Sequence, residues 1–393
     1  MNGDKTRVAV LFGGRSTEHE ISVISALQAM DAFDSTRFDL LPIYVDLEGK
    51  WFTGEVLCKR ENFPLSSDAM KQCVPVFLNA DSNWQITAQA KAGGWFKKDE
   101  PQRFPVDVFF PAFHGTYGED GCIQGLFEWI GAPYVGSGPC ASSIGMNKHL
   151  AKKLVSQSDV PVLSDLLIHQ SEWDPNQAHI LAQSIAEQIP SPWMVKPCNL
   201  GSSIAISSAH TQEELMVSLA GAFAFDDQVM VEPLIEDMYE LNIAVLFGEP
   251  PKTSAVERPR REDTLLTFED KYMKGNKKIS DSQSEGMASL QRDLNPADVP
   301  EAMLESARNH AVSAYSTMGC RGVVRFDFIV NNQESEIYFN EANLIPGSFS
   351  YYLWEKAEPR ISFTELLSIL VDQALAEHKA KRRLRRQVEM RVL

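Results

Sequence analysis

Short apolar runs of strand length alternate along the chain with stretches that repeat at helical spacing, which is the pattern of an α/β protein. VAVLF (Val8 to Phe12) predicts a buried strand, and GGRSTEHEISVISALQAM after it predicts a glycine turn opening into a helix. FDLLPIYVD and VDVFFPAF predict two more strands. The second runs into HGTYGEDG, and the helix CIQGLFEWIGA with the Gly-, Pro- and Ser-rich PYVGSGPCASS closes a first unit near residue 140. Between them, residues 51 to 104 have weak periodicity and read as a variable insertion. A second unit opens with one helix, IGMNKHLAKKLVSQ, and holds the strand WMVKP, the loop CNLGSS and the strand IAIS. VMVEPLI heads a third unit whose strands are ELNIAVLF, RGVVRFDFIV and EIYFNEAN. Residues 257 to 298 are polar without hydrophobic period, so they read as disordered or as a functional lid.

The most informative chemistry lies in the last two of these strands. VVRFDFIV and IYFNEAN, joined by the turn-forming NNQESE, predict a hairpin. Alternation puts Arg325 and Asp327 on one face of the first strand, and Glu341 and Asn343 on one face of the second. Three hard oxygen ligands and a guanidinium then converge, a donor set suited to Mg²⁺ completed by substrate phosphates. The plainer alternative is an acidic hairpin with a cross-strand ion pair.

Composition narrows the partners. The 393 residues carry 37 basic and 53 acidic side chains, a net charge of −16, which argues against a nucleic-acid or anionic-membrane surface. Six cysteines (Cys58, Cys73, Cys122, Cys140, Cys198, Cys320) form no C-x-x-C pair, as expected of packing residues in a reducing compartment. No apolar run is long enough to span a bilayer, and the N-terminus leads straight into a strand, so a cytoplasmic, soluble protein is expected. KAKRRLRR (Lys379 to Arg386) departs from the acidic body and reads as a solvated helix end, with contact to RNA or an anionic membrane as the alternative.

Five other segments hold candidate groups. In GGRSTEHE, Ser16, Glu18 and Glu20 sit at the positive end of a helix dipole, either as caps or, for Glu18, as a partner for a substrate ammonium. The glycine spacing is not G-x-G-x-x-G, so a dinucleotide site is not supported. His114 in FHGTYGEDG lies at a strand's C-terminal edge, where open α/β sheets bind ligands. In WMVKPCNLGSS, Lys196 precedes Gly201, Ser202 and Ser203, a small-residue loop able to wrap a phosphate or simply to turn a hairpin. VMVEPLIED ends a strand at Glu232, and TFEDKYMKG places Lys271 and Tyr272 in the long polar segment.

Taken in order, GGRSTEHE, HGTYGEDG, GSG with a following MNK, VKP with GSS, VEP, EDKYMKG, RFDF, and NEAN with PGS resemble the D-alanine-D-alanine ligases of the ATP-grasp superfamily. The resemblance covers nearly the whole chain. It implies a three-domain ATP-grasp fold with an N-terminal open parallel-sheet domain over 1–140. A central subdomain would cover 141–231, and a C-terminal subdomain with metal site and lid 232–378, followed by a basic tail over 379–393. It further implies ATP and two Mg²⁺ or Mn²⁺ as cofactors, D-alanine or a similar small amino acid as substrate, a homodimer, and a role in peptidoglycan precursor synthesis.

Transferred residue by residue, Glu18 would bind the first D-alanine's ammonium and form a lid-closing network with Ser202 and Tyr272. His114 would lie near the first substrate's carboxylate. Lys148, Lys196, Ser203 and Lys271 would contact phosphates. Glu232 and the backbone of Leu234 and Ile235 would hold adenine, with Glu240 at the ribose. Asp327, Glu341 and Asn343 would ligate the metals, and Arg325 with the Gly347 amide would face the oxyanion of the tetrahedral intermediate. Two departures stand out. EPLIEDMYE is one residue longer than the family spacing, so the ribose position falls on Glu240 or Glu236. In PGSFSYYLWE the family's acceptor-binding serine aligns with Tyr352, leaving Ser350 or a tyrosine hydroxyl to hold the second substrate's carboxylate. The open alternatives are a ligase with another acceptor, such as D-lactate, D-serine or a natural-product intermediate, and a non-catalytic nucleotide-binding scaffold.

Overall fold

The computed structural model describes residues 5–79, 85–88, 102–260 and 292–384. In the first unit β1 (Thr6–Gly13) runs parallel to β2 (Phe38–Val45) on one side and to β7 (Val108–Pro111) on the other. Its interior is apolar at every position because both faces are covered. Val8, Val10 and Phe12 pack towards α1 (His19–Ala32), and Ala9 and Leu11 pack towards α3 (Cys122–Ile130).

The segment expected to be an insertion instead extends this sheet. β3 (Trp51–Thr53), β4 (Val74–Asn79), β5 (Gln85–Ala88) and β6 (Arg103–Phe104) add as an antiparallel meander, with α2 (Ser67–Gln72) between β3 and β4. The open sheet is therefore parallel only over β2, β1 and β7 and antiparallel beyond. Its small apolar set, including Leu57, Val76 and Ile86, is buried, but strands of two to six residues are too short to show a period.

PYVGSGPCASS is not a coil to its end: α4 (Pro139–Met146) begins at its proline, the favoured first helical position. The single helix expected next is two, α4 and α5 (Lys148–Val155). Asn147 separates them in an extended conformation (φ −88°, ψ 106°), and its side chain accepts the Leu150 amide as an N-cap.

The middle sheet is antiparallel, in the order β10 (Ser207–Ala209), β9 (Trp193–Pro197), β11 (Gln228–Pro233), β8 (Leu166–His169). Helices α6 (Ala178–Gln188) and α7 (Gln212–Phe223) cover it. VMVEPLI thus belongs here rather than to the third unit: β11 pairs with β9 and β8, and the chain leaves this sheet only after Pro233. The strand expected over IAIS starts late, at Ser207, because Ser202, Ser203 and Ala205 have left-handed φ of 53°, 57° and 56°.

The third sheet is antiparallel, in the order β14 (Arg292–Leu294), β13 (Lys252–Pro259), β12 (Met238–Leu246), β15 (Val323–Asn331), β16 (Glu336–Asn343). One face packs on α5 and α8 (Glu301–Thr317). The two ends of the expected lid are therefore paired strands, β13 with β14, while 261–291 lies outside the described residues. After β16 come α9 (Tyr351–Trp354) and α10 (Phe363–Lys381). The latter returns to the first unit, burying Leu366, Leu367, Leu370 and Val371 in the core that holds β1 and α1. Among the described residues no helix is long and apolar enough to cross a membrane.

That return makes α10 a structural tie between the two ends of the chain. Leu367→Ala, at a side chain with no exposure, is expected to cost about 2–5 kcal/mol in stability. Urea unfolding followed by both far-UV and aromatic signals should show the loss.

Candidate active site

Directly opposed residues of antiparallel strands share a face, and pairing in the third sheet lines up one polar row. Glu257 on β13 opposes Asn242 on β12, which opposes Asp327 on β15, which opposes Glu341 on β16; one pair further along, Arg325 opposes Asn343. Arg325 donates to both oxygens of Asp327, from Nε and Nη2, at 2.7 Å each. The ion pair thus runs along one strand, between positions two apart, and not across the hairpin. Asn343 Nδ2 also donates to Asp327 Oδ2 at 3.1 Å. Burial works against the guanidinium charge, but the Asp327 carboxylate holds the Arg325 pKa well above the ordinary arginine value.

A bulge between Asp327 and Phe328 inserts Asn340 into β16 and turns its side chain to another unit, where Asn340 Oδ1 accepts from Lys196 Nζ at 2.9 Å. Lys148 reaches the same row, with Nζ 3.2 Å from Glu341 Oε2 and 2.5 Å from the Leu200 carbonyl. Glu232 on β11 lies between two lysines: Lys196 contacts Oε1, and Lys152 donates to Oε2 at 2.6 Å. All three are buried. Burial would raise the Glu232 carboxyl, but the two ammonium groups outweigh it and lower the pKa to about 2.

Glu18, the residue preceding α1, is buried, and its carboxylate accepts from the Ser202 hydroxyl. The loops around it require glycine. A Cβ at Gly201 would stand 2.4 Å from Glu18 Oε2, and one at Gly115, whose φ is +73°, would stand 2.8 Å from the same atom. His114 is buried with Nε2 2.8 Å from Ser25 Oγ. Burial, reinforced by the Arg325 charge, lowers its pKa to about 4, so the ring is neutral at pH 7. Glu119 accepts from the Gly115 and Ile345 amides at 2.8 Å each. Burial and the Glu18 charge raise its pKa to about 8.

The turn after β16 is strained. Ser348, Phe349 and Ser350 follow Gly347 with φ/ψ of 51°/29°, 55°/21° and 52°/30°, three successive left-handed residues of which none is glycine. Each costs roughly 1–2 kcal/mol. Within this turn Ser350 Oγ is wholly buried and without a hydrogen-bond partner among the described residues. Tyr352 is tied: its hydroxyl donates to Glu257 Oε2 at 3.2 Å, and the Arg292 guanidinium lies 4.1 Å over its ring and pairs with Glu257 at 2.6 Å.

The family model described as D-ala D-ala ligase N-terminus matches residues 7–137, and that described as D-ala D-ala ligase C-terminus matches residues 154–372. The D-alanine--D-alanine ligase of Chloroherpeton thalassium is 34% identical over 385 residues, covering 98% of this chain and 100% of that protein. The one from Acetivibrio thermocellus is 35% identical over 384 residues, covering 96% and 97%. The chain belongs to the D-alanine-D-alanine ligase family.

Among solved structures, this ligase-family chain is similar to the D-alanine-D-alanine ligase from Coxiella burnetii, with TM-score 0.77 and 25% identity over 97% of each chain. It is also similar to the VanG D-Ala:D-Ser ligase from Enterococcus faecalis, with TM-score 0.75 and 26% identity, covering 94% of this chain and 100% of that one. The fold is that of the ATP-grasp ligases.

The residues singled out in the sequence of this family member fall as follows. Arg325, Asp327, Glu341, Asn343, Lys148 and Lys196 are brought together, and Glu18 meets Ser202. Ser203 lies in the same left-handed loop as Ser202. Glu240 sits on β12 two positions from Asn242 and faces the row, whereas Glu236 lies in the exposed connection, 4.0 Å from His210. The Leu234 amide, expected at an adenine, is already bonded to the Pro192 carbonyl at 2.9 Å. Lys271 and Tyr272 lie outside the described residues.

Several partners escaped the sequence reading: Lys152, Glu257, Arg292, Asn340, Asn242, Glu119 and Ser25. Most sit at strand or helix positions that carry no local signal. For Glu119 the HGTYGEDG loop did hold a signal, an acid between two glycines where backbone amides can approach, and the choice of His114 passed over it.

The three-group cluster at Glu232 yields a stability test. Lys152→Met leaves the buried carboxylate with one ammonium and should cost about 3–5 kcal/mol at pH 7. The folded pKa lies below the ordinary 4.5, so this contribution is complete above that value and is lost as pH falls towards about 2. Denaturant unfolding of both proteins at pH 7 and at pH 3 should show the gap between them narrowing in acid.

Proposed function

We propose that the chain is an ATP-dependent ligase that joins D-alanine to D-alanine for peptidoglycan precursor synthesis in the cytoplasm. The observation that carries this reading is the convergence of Arg325, Asp327, Glu341 and Asn343 with Lys148 and Lys196, groups from two sheets and an intervening helix that have no shared structural task. A binding protein has no use for an activating arginine beside a hard-oxygen donor set.

A metal fits these residues. Asp327, Glu341 and Asn343 would hold Mg²⁺ or Mn²⁺, two ions by family resemblance. Asp327 Oδ1 keeps a second lone pair beyond the one used by Arg325 Nε. Asn242 Oδ1, in the same row, is buried without a partner among the described residues, as expected of a group facing an ion or phosphate shell. The bound metal supplies neutralisation of phosphate charge.

The chain's own residues account for the rest. Lys148 and Lys196 place positive charge where the triphosphate would lie, and Glu232 with Asn340 fixes Lys196. Ser202 and Ser203 offer loop backbone to the phosphates. Glu18 presents a carboxylate to the ammonium of the first D-alanine, whose own carboxylate attacks the γ-phosphorus to give an acyl phosphate and ADP. The neutral His114 imidazole adds no positive charge beside it. The amine of the second D-alanine then attacks the acyl carbon and expels phosphate. Arg325 and the Gly347 amide stabilise the developing oxyanion.

ATP and Mg²⁺ with D-alanine should give ADP, phosphate and a dipeptide mass in equal amounts. Nucleotide binding without D-alanine-dependent phosphate release would leave only a scaffold. An acceptor series of D-alanine, D-serine and D-lactate read by mass spectrometry fixes the second substrate, and D-alanine is expected to dominate.

Glu341→Gln should lower kcat by about 100-fold or more while the fold is retained by circular dichroism, since Lys148 keeps the Leu200 carbonyl and Asp327 loses a like-charged neighbour. Full turnover at saturating Mg²⁺ would end the metal assignment.

A further inference from the structure

The turn that carries Gly347 leaves the third sheet at the end of β16, yet the groups that fix it come from the first unit. Ile345 is gripped twice from the HGTYGEDG loop. Its amide donates to Glu119 Oε1 at 2.8 Å, and its backbone also bonds the His114 ring. Ser348 is gripped twice from α1. Its amide donates to Ser25 Oγ at 2.9 Å, and its hydroxyl donates to Gln28 Oε1 at 2.5 Å. Phe349, between the left-handed serines, packs on Phe110 of β7 with ring centroids 5.0 Å apart.

Ser25 ties the two grips together. It is 1% exposed, and its oxygen accepts the Ser348 amide and lies 2.8 Å from His114 Nε2. On its other side the ring places Nδ1 3.9 Å from Glu119 Oε2. One hydroxyl on a helix therefore meets both the His114 ring and the left-handed start of the turn.

We infer that Ser25, assisted by Gln28, is a positioning residue that forces the Ile345–Ser350 turn into its left-handed conformation and thereby aims the Gly347 amide. Docking of the first unit on the third is then a condition for turnover as well as for binding the first substrate. The kinetic part of this inference rests on the ligase reading, while the structural part does not.

Ser25→Ala should lower kcat about tenfold to a hundredfold with the KM for ATP unchanged, the signature of a misplaced group that does not touch nucleotide. Deuterium uptake by peptides covering 344–351 should quicken at least tenfold, with uptake along the remainder of α1 unaltered. Unchanged kcat, or unchanged uptake, overturns the inference. Should Ser25→Ala fail to fold, Gln28→Leu and Gln28→Glu decide it. The glutamate keeps an acceptor for the Ser348 hydroxyl and should retain kcat, whereas the leucine should not, and equal kinetics in the two overturns it. Absence of D-alanine-dependent ADP formation in the parent protein would sink the ligase reading alone. The uptake comparison then decides whether Ser25 holds the turn.

Discussion

The buried pair between Arg325 and Asp327 is the constraint around which the site is arranged. Removing two charges from water is costly, and only a geometry that satisfies both repays it. The fork of Arg325 on Asp327 does so with two bonds, and Asn343 adds a third. Because the partners sit two residues apart on β15, the strand itself presets their approach. A strand carrying such a pair must lie centrally in its sheet, with polar groups on both neighbours, and β12 and β16 supply Asn242, Glu341 and Asn343. The same positive charge acts across the unit boundary, since it helps to keep His114 neutral.

How much of this is legible in the sequence depends on the range of the interaction. The hairpin was legible because period-two alternation is local and long, and it put Arg325 with Asp327, and Glu341 with Asn343, on shared faces; their register against each other comes from the pairing. The α/β class was legible from the buried run of β1. The bulge at Asn340 was not, because nothing in YFNEAN marks an extra residue. Lys152 was hidden for another reason: on an amphipathic helix a lysine reads as a surface residue, and only the arrival of β11 beneath it turns it into a buried partner of Glu232. The short strands β3 to β6 have too few residues to show a period at all.

Strain explains a further failure of sequence reasoning. Left-handed backbone is ordinarily announced by glycine or asparagine, and Ser348, Phe349 and Ser350 are neither. Such a run survives only where surrounding contacts over-determine it. Here those contacts belong to α1, β7 and the HGTYGEDG loop, more than two hundred residues away in sequence. The same reasoning applies to Ser202 and Ser203, whose left-handed backbone sits against Glu18 from the first unit. In both places the first unit holds an unfavourable backbone that the other units could not keep alone.

The acceptor end of the site follows from what Tyr352 is already doing. Its hydroxyl is committed to Glu257, its ring is covered by Arg292, and burial with the Glu257 charge pushes its phenol well above the ordinary value. A hydroxyl so placed helps to hold Glu257 and Arg292 near the edge of the sheet. The neighbouring Ser350 is the opposite case. Its Oγ is fully buried and unpartnered among the described residues, a condition that ordinarily costs about 1–3 kcal/mol and is relieved when a group arrives to share its hydrogen. Three residues after Gly347 and beside the Arg325 strand, it is the hydroxyl we propose for the second substrate's carboxylate. Tyr352 is thus tied into the wall beside the turn, and the left-handed backbone that raises the cost of the fold is also what buries the Ser350 hydroxyl without a partner among the described residues.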